Sequence, residues 1–335
     1  MRQPRWKAPP EMPSGHYHCI SRVVDRQFVF QERERERFRQ LLDEYAAFCG
    51  VRVLTWCILS NHFHLLIEIP RKPEHPPPLD ELIARLEHLS SSLLSAKAAR
   101  QLVDRWQSSG DDRSAERLRQ RLWGQMLDLS QFMKLLKQRF SQWFNRVHER
   151  RGTLWEERFR SVLIEGPGPA LATVAAYIDL NPVRAGLVED PKDYRWCGYA
   201  EAVVGRPGAR DGLARALSST PGSVLADYRQ WIFAQGEERE GTDAEGQSPR
   251  RGMKREAVLQ VLAEKGRVSP REFLRLRVRY LTDGAILGSR EFINQVFERH
   301  RDRFGPRRTS GARPVRGVEG VSFNTLRALR VRVFT

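Results

Sequence analysis

Cysteine is scarce in this chain. Cys19, Cys49, Cys57 and Cys197 are the 4 cysteines in 335 residues, and no two form a Cys-x-x-Cys pair. That scatter argues against a disulfide framework or a zinc ribbon and fits a reducing cytoplasm. Acid is also in deficit. Asp and Glu number 41 against 57 Lys and Arg, a formal charge of +16. Such an excess favours a polyanionic partner, nucleic acid ahead of an anionic membrane. No apolar run is long enough to span a bilayer, the N-terminus lacks a signal-peptide core, and no long internal repeat is present. Neither a membrane partner nor a secreted location is expected.

What the chain does have is the stretch from Trp56 to Pro70, apolar and β-prone at both ends with His62-Phe63-His64 between. In a strand His62 and His64 share one face, while Phe63, Leu65 and Ile67 share the other. The two imidazoles are then about 7 Å apart along the strand, close enough to share one divalent metal. Two histidines so spaced are also common as ordinary strand residues, so a further ligand and a reacting group are needed.

A second stretch offers both. Residues 169–182 read as a helix whose buried face is Leu171, Val174, Ala175 and Ile178. Pro182 disfavours helical geometry just before it, so the helix is expected to end near Asn181. Thr173, Tyr177 and Asn181 form a separate stripe, one turn apart. Tyr177 and Asn181 can be a nucleophile beside a ligand oxygen; they can equally be a rim residue and a helix-end cap.

The flanking chain supplies a frame. A strand is expected within 16–30, a helix over 32–49, strands over 51–59 and 62–69, and a fourth strand over 159–165. That order suits an α+β sheet with helices on one face, leaving the histidines on the free face. His16, His18 and Cys19 are set aside as a second metal cluster, because the His62 strand offers the better pair. Residues 1–15 read as a basic, Pro-rich arm. Residues 71–128 read as a helical insertion, and 129–147 as a strong amphipathic helix. Residues 206–250 read as a linker, 251–305 as a small helical unit of helix-turn-helix type or a plain appendage, and 306–335 as a basic tail.

Several motifs in order carry a resemblance. They are Ser60-Asn61-His62-Phe63-His64-Leu65-Leu66, Phe140-Ser141-Gln142-Trp143-Phe144-Asn145-Arg146, the stretch Arg150 to Arg160, Tyr177-Ile178-Asp179-Leu180-Asn181-Pro182-Val183-Arg184-Ala185-Gly186, and Asp193 to Tyr199. Together they resemble the single-tyrosine HUH transposases, closest to the REP-associated branch, over roughly residues 13–205. The resemblance implies a ferredoxin-like or RRM-like core at 16–205. It implies Tyr177 as nucleophile and His62, His64 and Asn181 as ligands of Mg²⁺ or Mn²⁺. The implied activity is nicking and rejoining of single-stranded or hairpin DNA through a 5′-phosphotyrosine, in the nucleoid. Arg150, Arg151, Arg158, Arg160 and Lys137 are the expected phosphate contacts, with Trp155 as a stacking platform. A catalytically silent DNA-binding protein is the competing reading, an RNA-binding module a weaker one, and a homodimer is left open.

Overall fold

The computed structural model describes residues 5–90, 94–188, 190–220, 224–233, 281, 285–306, 308–315 and 324–327. They fall into two compact units, residues 1–163 with 195–198 and residues 164–194 with 199–335.

Unit 1 runs β1 (Ser14–Arg22), α1 (Glu32–Cys49), β2 (Arg52–Ile58), β3 (His62–Pro70), α2 (Leu79–Ala84), α3 (Ala96–Ser108), α4 (Asp112–Trp123), α5 (Leu129–Val147) and β4 (Arg160–Ile164). Its strands lie in the order β2-β3-β1-β4, with β1 and β2 antiparallel to β3. This is the β-α-β-β-α-β pattern of a ferredoxin-like sheet, with α2 to α4 inserted between β3 and α5. The first helix follows from its apolar face: Phe38, Leu41, Leu42, Tyr45 and Phe48 are all buried. It stops because Gly50 takes a left-handed φ of 69° and its N–H bonds to Ala46 and Ala47 carbonyls. The Asp128 carboxylate caps α5 by accepting the Gln131 N–H at 2.9 Å.

The helix-facing side of β3 is aromatic. Phe63 is fully buried, with ring centroids 4.6 Å from Phe38 and 5.6 Å from Trp155. Phe140 of α5 stands 5.2 Å from Phe38 in an edge-to-face pair. Two expected DNA contacts belong to this core instead. Trp155 is buried, and its indole N–H donates to Ser141 Oγ at 2.7 Å and to the Lys137 carbonyl at 3.2 Å. A ring packed on Phe30, Phe63 and Phe140 offers no face to a base. Lys137 is buried as well; its ammonium donates to the Glu157 carbonyl at 3.0 Å and lies 5.1 Å from the Trp155 ring. Burial pushes its pKa down to about 8, helped by Arg5 and opposed by Glu157.

Residues 5–15 of the expected arm are more ordered than their composition suggests. The Arg5 guanidinium stacks 3.6 Å over Phe159, and the Ala8 N–H donates to the Tyr17 hydroxyl at 3.0 Å. An arginine plane and a tyrosine hydroxyl thus pin a segment that has no helix or strand period of its own.

Unit 2 contains α6 (Pro169–Asp179), α7 (Asn181–Arg184), α8 (Gly198–Val203), α9 (Pro207–Leu217), α10 (Val224–Phe233), β5 (Ile286–Gly288), α11 (Arg290–Arg299), β6 (Arg313–Pro314) and β7 (Asn324–Thr325). Its strands lie in the order β5-β7-β6, all antiparallel. Asp179, fully buried at the end of α6, accepts the Tyr228 hydroxyl at 2.6 Å and the Tyr199 N–H at 3.2 Å. One carboxylate therefore ties α6 to α8 and α10. Part of the expected linker is helix: Gly208 and Gly212 obscure the period of α9, yet Leu213, Ala214 and Ala216 are buried. Part of the expected tail is strand, fixed by Arg308 donating to the Leu326 carbonyl at 2.6 Å. The first two helices expected for 251–305 lie outside the described residues; the third is α11.

Two measurements check this packing. Phe63→Ala should cost about 3–5 kcal/mol in urea unfolding, whereas His62→Ala, half-buried on the other face, should cost about 1 kcal/mol or less. The folded Lys137 value of about 8 lies below the ordinary 10.5. The cost of burying the charge is thus present in full below pH 8 and fades as pH rises toward 10.5. Relative to Lys137→Met, the wild-type chain should gain stability across that window, by roughly 1 kcal/mol per pH unit.

Candidate active site

The histidine half of the site is built by strand register in unit 1. Arg22 stands opposite His62, Ile20 opposite His64 and His18 opposite Leu66. On the other side Cys57 stands opposite His64. Alternation therefore gathers His18, Ile20, His62, His64 and Leu66 on one face, away from Phe63. This face is covered rather than free, as the sequence had suggested: His18 is 0% exposed and His64 4%. The His62 and His64 rings stand 5.1 Å apart, steeply inclined at 71°.

Each ring is held through its Nδ1. His62 Nδ1 is 2.7 Å from Asn61 Oδ1. Asn61 Nδ2 donates to the Arg26 carbonyl at 3.0 Å, which assigns Oδ1 as the acceptor and Nδ1 of His62 as the donor. His64 Nδ1 is 2.9 Å from His18 Nε2. Nδ1 is thus engaged on both rings, and in the His18–His64 contact the donor and acceptor roles follow the tautomer. Two imidazoles on one face with centroids 5.1 Å apart are donors of the kind a divalent cation takes. Among the described residues, no group of three His, Cys, Asp or Glu side chains is placed to hold a metal. A cation on this pair would complete its shell from outside that set, with an amide oxygen, water or phosphate oxygen.

The tyrosine half is in unit 2. Pro169 sits in the first turn of α6, where its missing N–H costs nothing. Thr173, Tyr177 and Asn181 follow at one-turn spacing and are buried. The chain does not stop at Asn181. Leu180, at φ −82° and ψ −3°, breaks the helix one residue earlier, and α7 restarts with Pro182 in its first turn, where proline is tolerated. Asn181 Nδ2 donates to the Tyr177 carbonyl at 3.0 Å and the Ile178 carbonyl at 3.1 Å. The amide does cap the helix end, and the same orientation assigns Oδ1 as the atom a ligand would meet. Arg184 lies 4.1 Å over the Tyr177 ring and donates to the Tyr177 carbonyl.

Of the expected phosphate contacts, Arg151, Arg158 and Arg160 are exposed in unit 1, and Arg150 is half-buried. Arg160 pairs with Glu157 at 2.8 Å, an exposed pair that holds it weakly. Trp155 and Lys137 are withdrawn into the core, as described above. Three residues were missed by sequence reasoning. Asn61 was signalled by its place beside His62, Arg184 by its spacing two turns beyond Tyr177. His18 was signalled only by a second His-x-His, at His16 and His18.

Residues 11–109 match the family model "Transposase IS200 like". No curated protein matches the chain. Among solved structures, the chain is similar to one described as a REP-associated tyrosine transposase bound to a REP hairpin. Identity is 13% and the TM-score 0.39, covering 61% of this chain and 87% of that one. The matched segment carries β1, α1, β2 and β3, with His18, His62 and His64 among its residues. Over residues 11–109, less than a third of its length, the chain is similar to the IS200-like transposase family.

Proposed function

We propose that the protein is a transposase-type DNA strand transferase. It would cut and rejoin single-stranded or hairpin DNA, with Tyr177 as nucleophile. The observation that carries this reading is the imidazole pair on β3, His62 and His64, on one face with ring centroids 5.1 Å apart and each Nδ1 engaged. The family match over the same segment supports it, as does the formal charge of +16.

The roles follow from the chemistry of each group. His62, His64 and the Asn181 amide oxygen would hold Mg²⁺ or Mn²⁺. Such a cation, when bound, orients a phosphodiester and offsets the charge that builds on its oxygens. The Tyr177 oxygen forms a bond to phosphorus, and the bond from phosphorus to the 3′ oxygen breaks. The phenol proton passes to solvent, and the departing 3′ oxygen takes one up as a hydroxyl. The phosphotyrosine retains the phosphodiester bond energy, so attack by another 3′-OH rejoins DNA without a nucleotide cofactor. Arg184 would keep the Tyr177 ring in place through its stacked guanidinium. Exposed Arg151 and Arg158 would grip the phosphate backbone. The hairpin preference rests on the resemblance of the motifs around His62 and Tyr177 to the REP-associated branch.

The test is incubation of the purified chain with the hairpin DNA flanking its own gene, plus Mn²⁺, followed by denaturing electrophoresis and peptide mapping. The wild type should yield a covalent adduct on Tyr177. Tyr177→Phe should yield none while binding the hairpin within about threefold, since it loses only the hydroxyl. Adducts that persist in Tyr177→Phe would assign the nucleophile elsewhere. Binding with no metal-dependent cleavage of any hairpin would favour a silent DNA-binding protein.

A further inference from the structure

We infer that His18 is a positioning residue for His64, fixing the ring tautomer that presents Nε2 to a divalent cation. The inference rests on the proposed metal role of His62 and His64 and names a residue of β1 that this role requires.

The contact is a product of the fold. His18 and His64 are 46 residues apart, and β1–β3 pairing brings His18 Nε2 to 2.9 Å from His64 Nδ1. The rings are nearly parallel, at 26°. His18 is 0% exposed and His64 4%, so neither ring can trade this bond for bulk water at little cost. A hydrogen bond between two neutral imidazoles needs one donor and one acceptor. If His64 Nδ1 carries the hydrogen, Nε2 keeps its lone pair for a metal. If His18 Nε2 carries it, His64 Nδ1 is the acceptor and Nε2 is protonated, a form that cannot coordinate. The tautomer of His18 thus selects the ligand atom of His64. His62 shows the same logic with Asn61 Oδ1 as its acceptor.

The identity of these partners has a consequence. Ligating histidines often donate to a carboxylate, which makes the ring more basic and lowers the net charge of the site. Here the Nδ1 partners are an amide oxygen and an imidazole nitrogen, neither of them a carboxylate. A pair without that carboxylate binds the cation less tightly but leaves more of its charge to act on a phosphate oxygen. That trade suits a site whose substrate is a polyanion and whose metal is exchangeable.

The test uses the full chain without DNA. Free Mn²⁺ is counted by EPR for the wild type, His18→Ala, His18→Gln, His62→Ala and His64→Ala, with circular dichroism on each. His18→Ala should weaken Mn²⁺ binding about 10–100-fold, the usual effect of losing a residue that orients a ligand, and His18→Gln should recover most of it. Electron-spin-echo modulation should count two imidazoles on Mn²⁺ in both the wild type and His18→Gln. Nitrogen NMR of the wild type, which needs no variant to fold, should find His64 protonated on Nδ1. With hairpin DNA, His18→Ala should raise the Mn²⁺ concentration for half-maximal cleavage while leaving the rate at saturating Mn²⁺ within a few-fold. Unchanged Mn²⁺ affinity in His18→Ala, with His62→Ala and His64→Ala both defective, overturns the positioning role alone. Loss of one imidazole in His18→Gln makes His18 a ligand and overturns it too. Undiminished Mn²⁺ binding in His62→Ala and His64→Ala removes the metal site itself, and the inference with it.

Discussion

The structure depends on β3 being buried on two faces of opposite chemistry. A strand gives successive side chains to opposite sides, and nine residues of β3 use that alternation fully. One side sets Phe63, Leu65 and Ile67 against an aromatic core from α1 and α5. The other sets His62 and His64 beside His18. Shifting the register by one residue would exchange the faces, placing imidazoles in the aromatic layer and Phe63 among the histidines. The site is thus held by the same packing that holds the sheet.

The opposite faces answer to different rules. On the aromatic side the requirement is volume and contact, and Trp155 shows how far it reaches: its indole N–H is satisfied by Ser141 Oγ and a backbone carbonyl, so the ring can be buried. On the histidine side the requirement is satisfied polarity. Each Nδ1 has a partner, Asn61 Oδ1 for His62 and His18 Nε2 for His64. Burial without such partners would be costly; with them it makes the rings rigid before any cation arrives.

How much of this was legible depends on the range of the signal. The alternation in β3, the apolar face of α1 and the stripe of Tyr177 and Asn181 are local patterns, and each appears at the residues where its period placed it. What the sequence concealed is non-local. His18 meets His64 only through β1–β3 register, and Trp155 and Lys137 look like a basic, aromatic DNA face until α5 folds over them. The helix over 207–217 was hidden by two glycines whose cost is offset by burial of its leucine and alanines. Pro182 was read as a stop; its place in the first turn of a new helical segment depends on the break at Leu180.

The central claim is that β3 offers two imidazole nitrogens to one cation. Anomalous diffraction from crystals grown with Mn²⁺ tests it most directly. The account predicts one strong peak within coordination distance of both His62 Nε2 and His64 Nε2, with His18 outside that distance. A chain loaded with Mn²⁺ whose peak touches neither ring, or lies instead on His16 and His18, would contradict it.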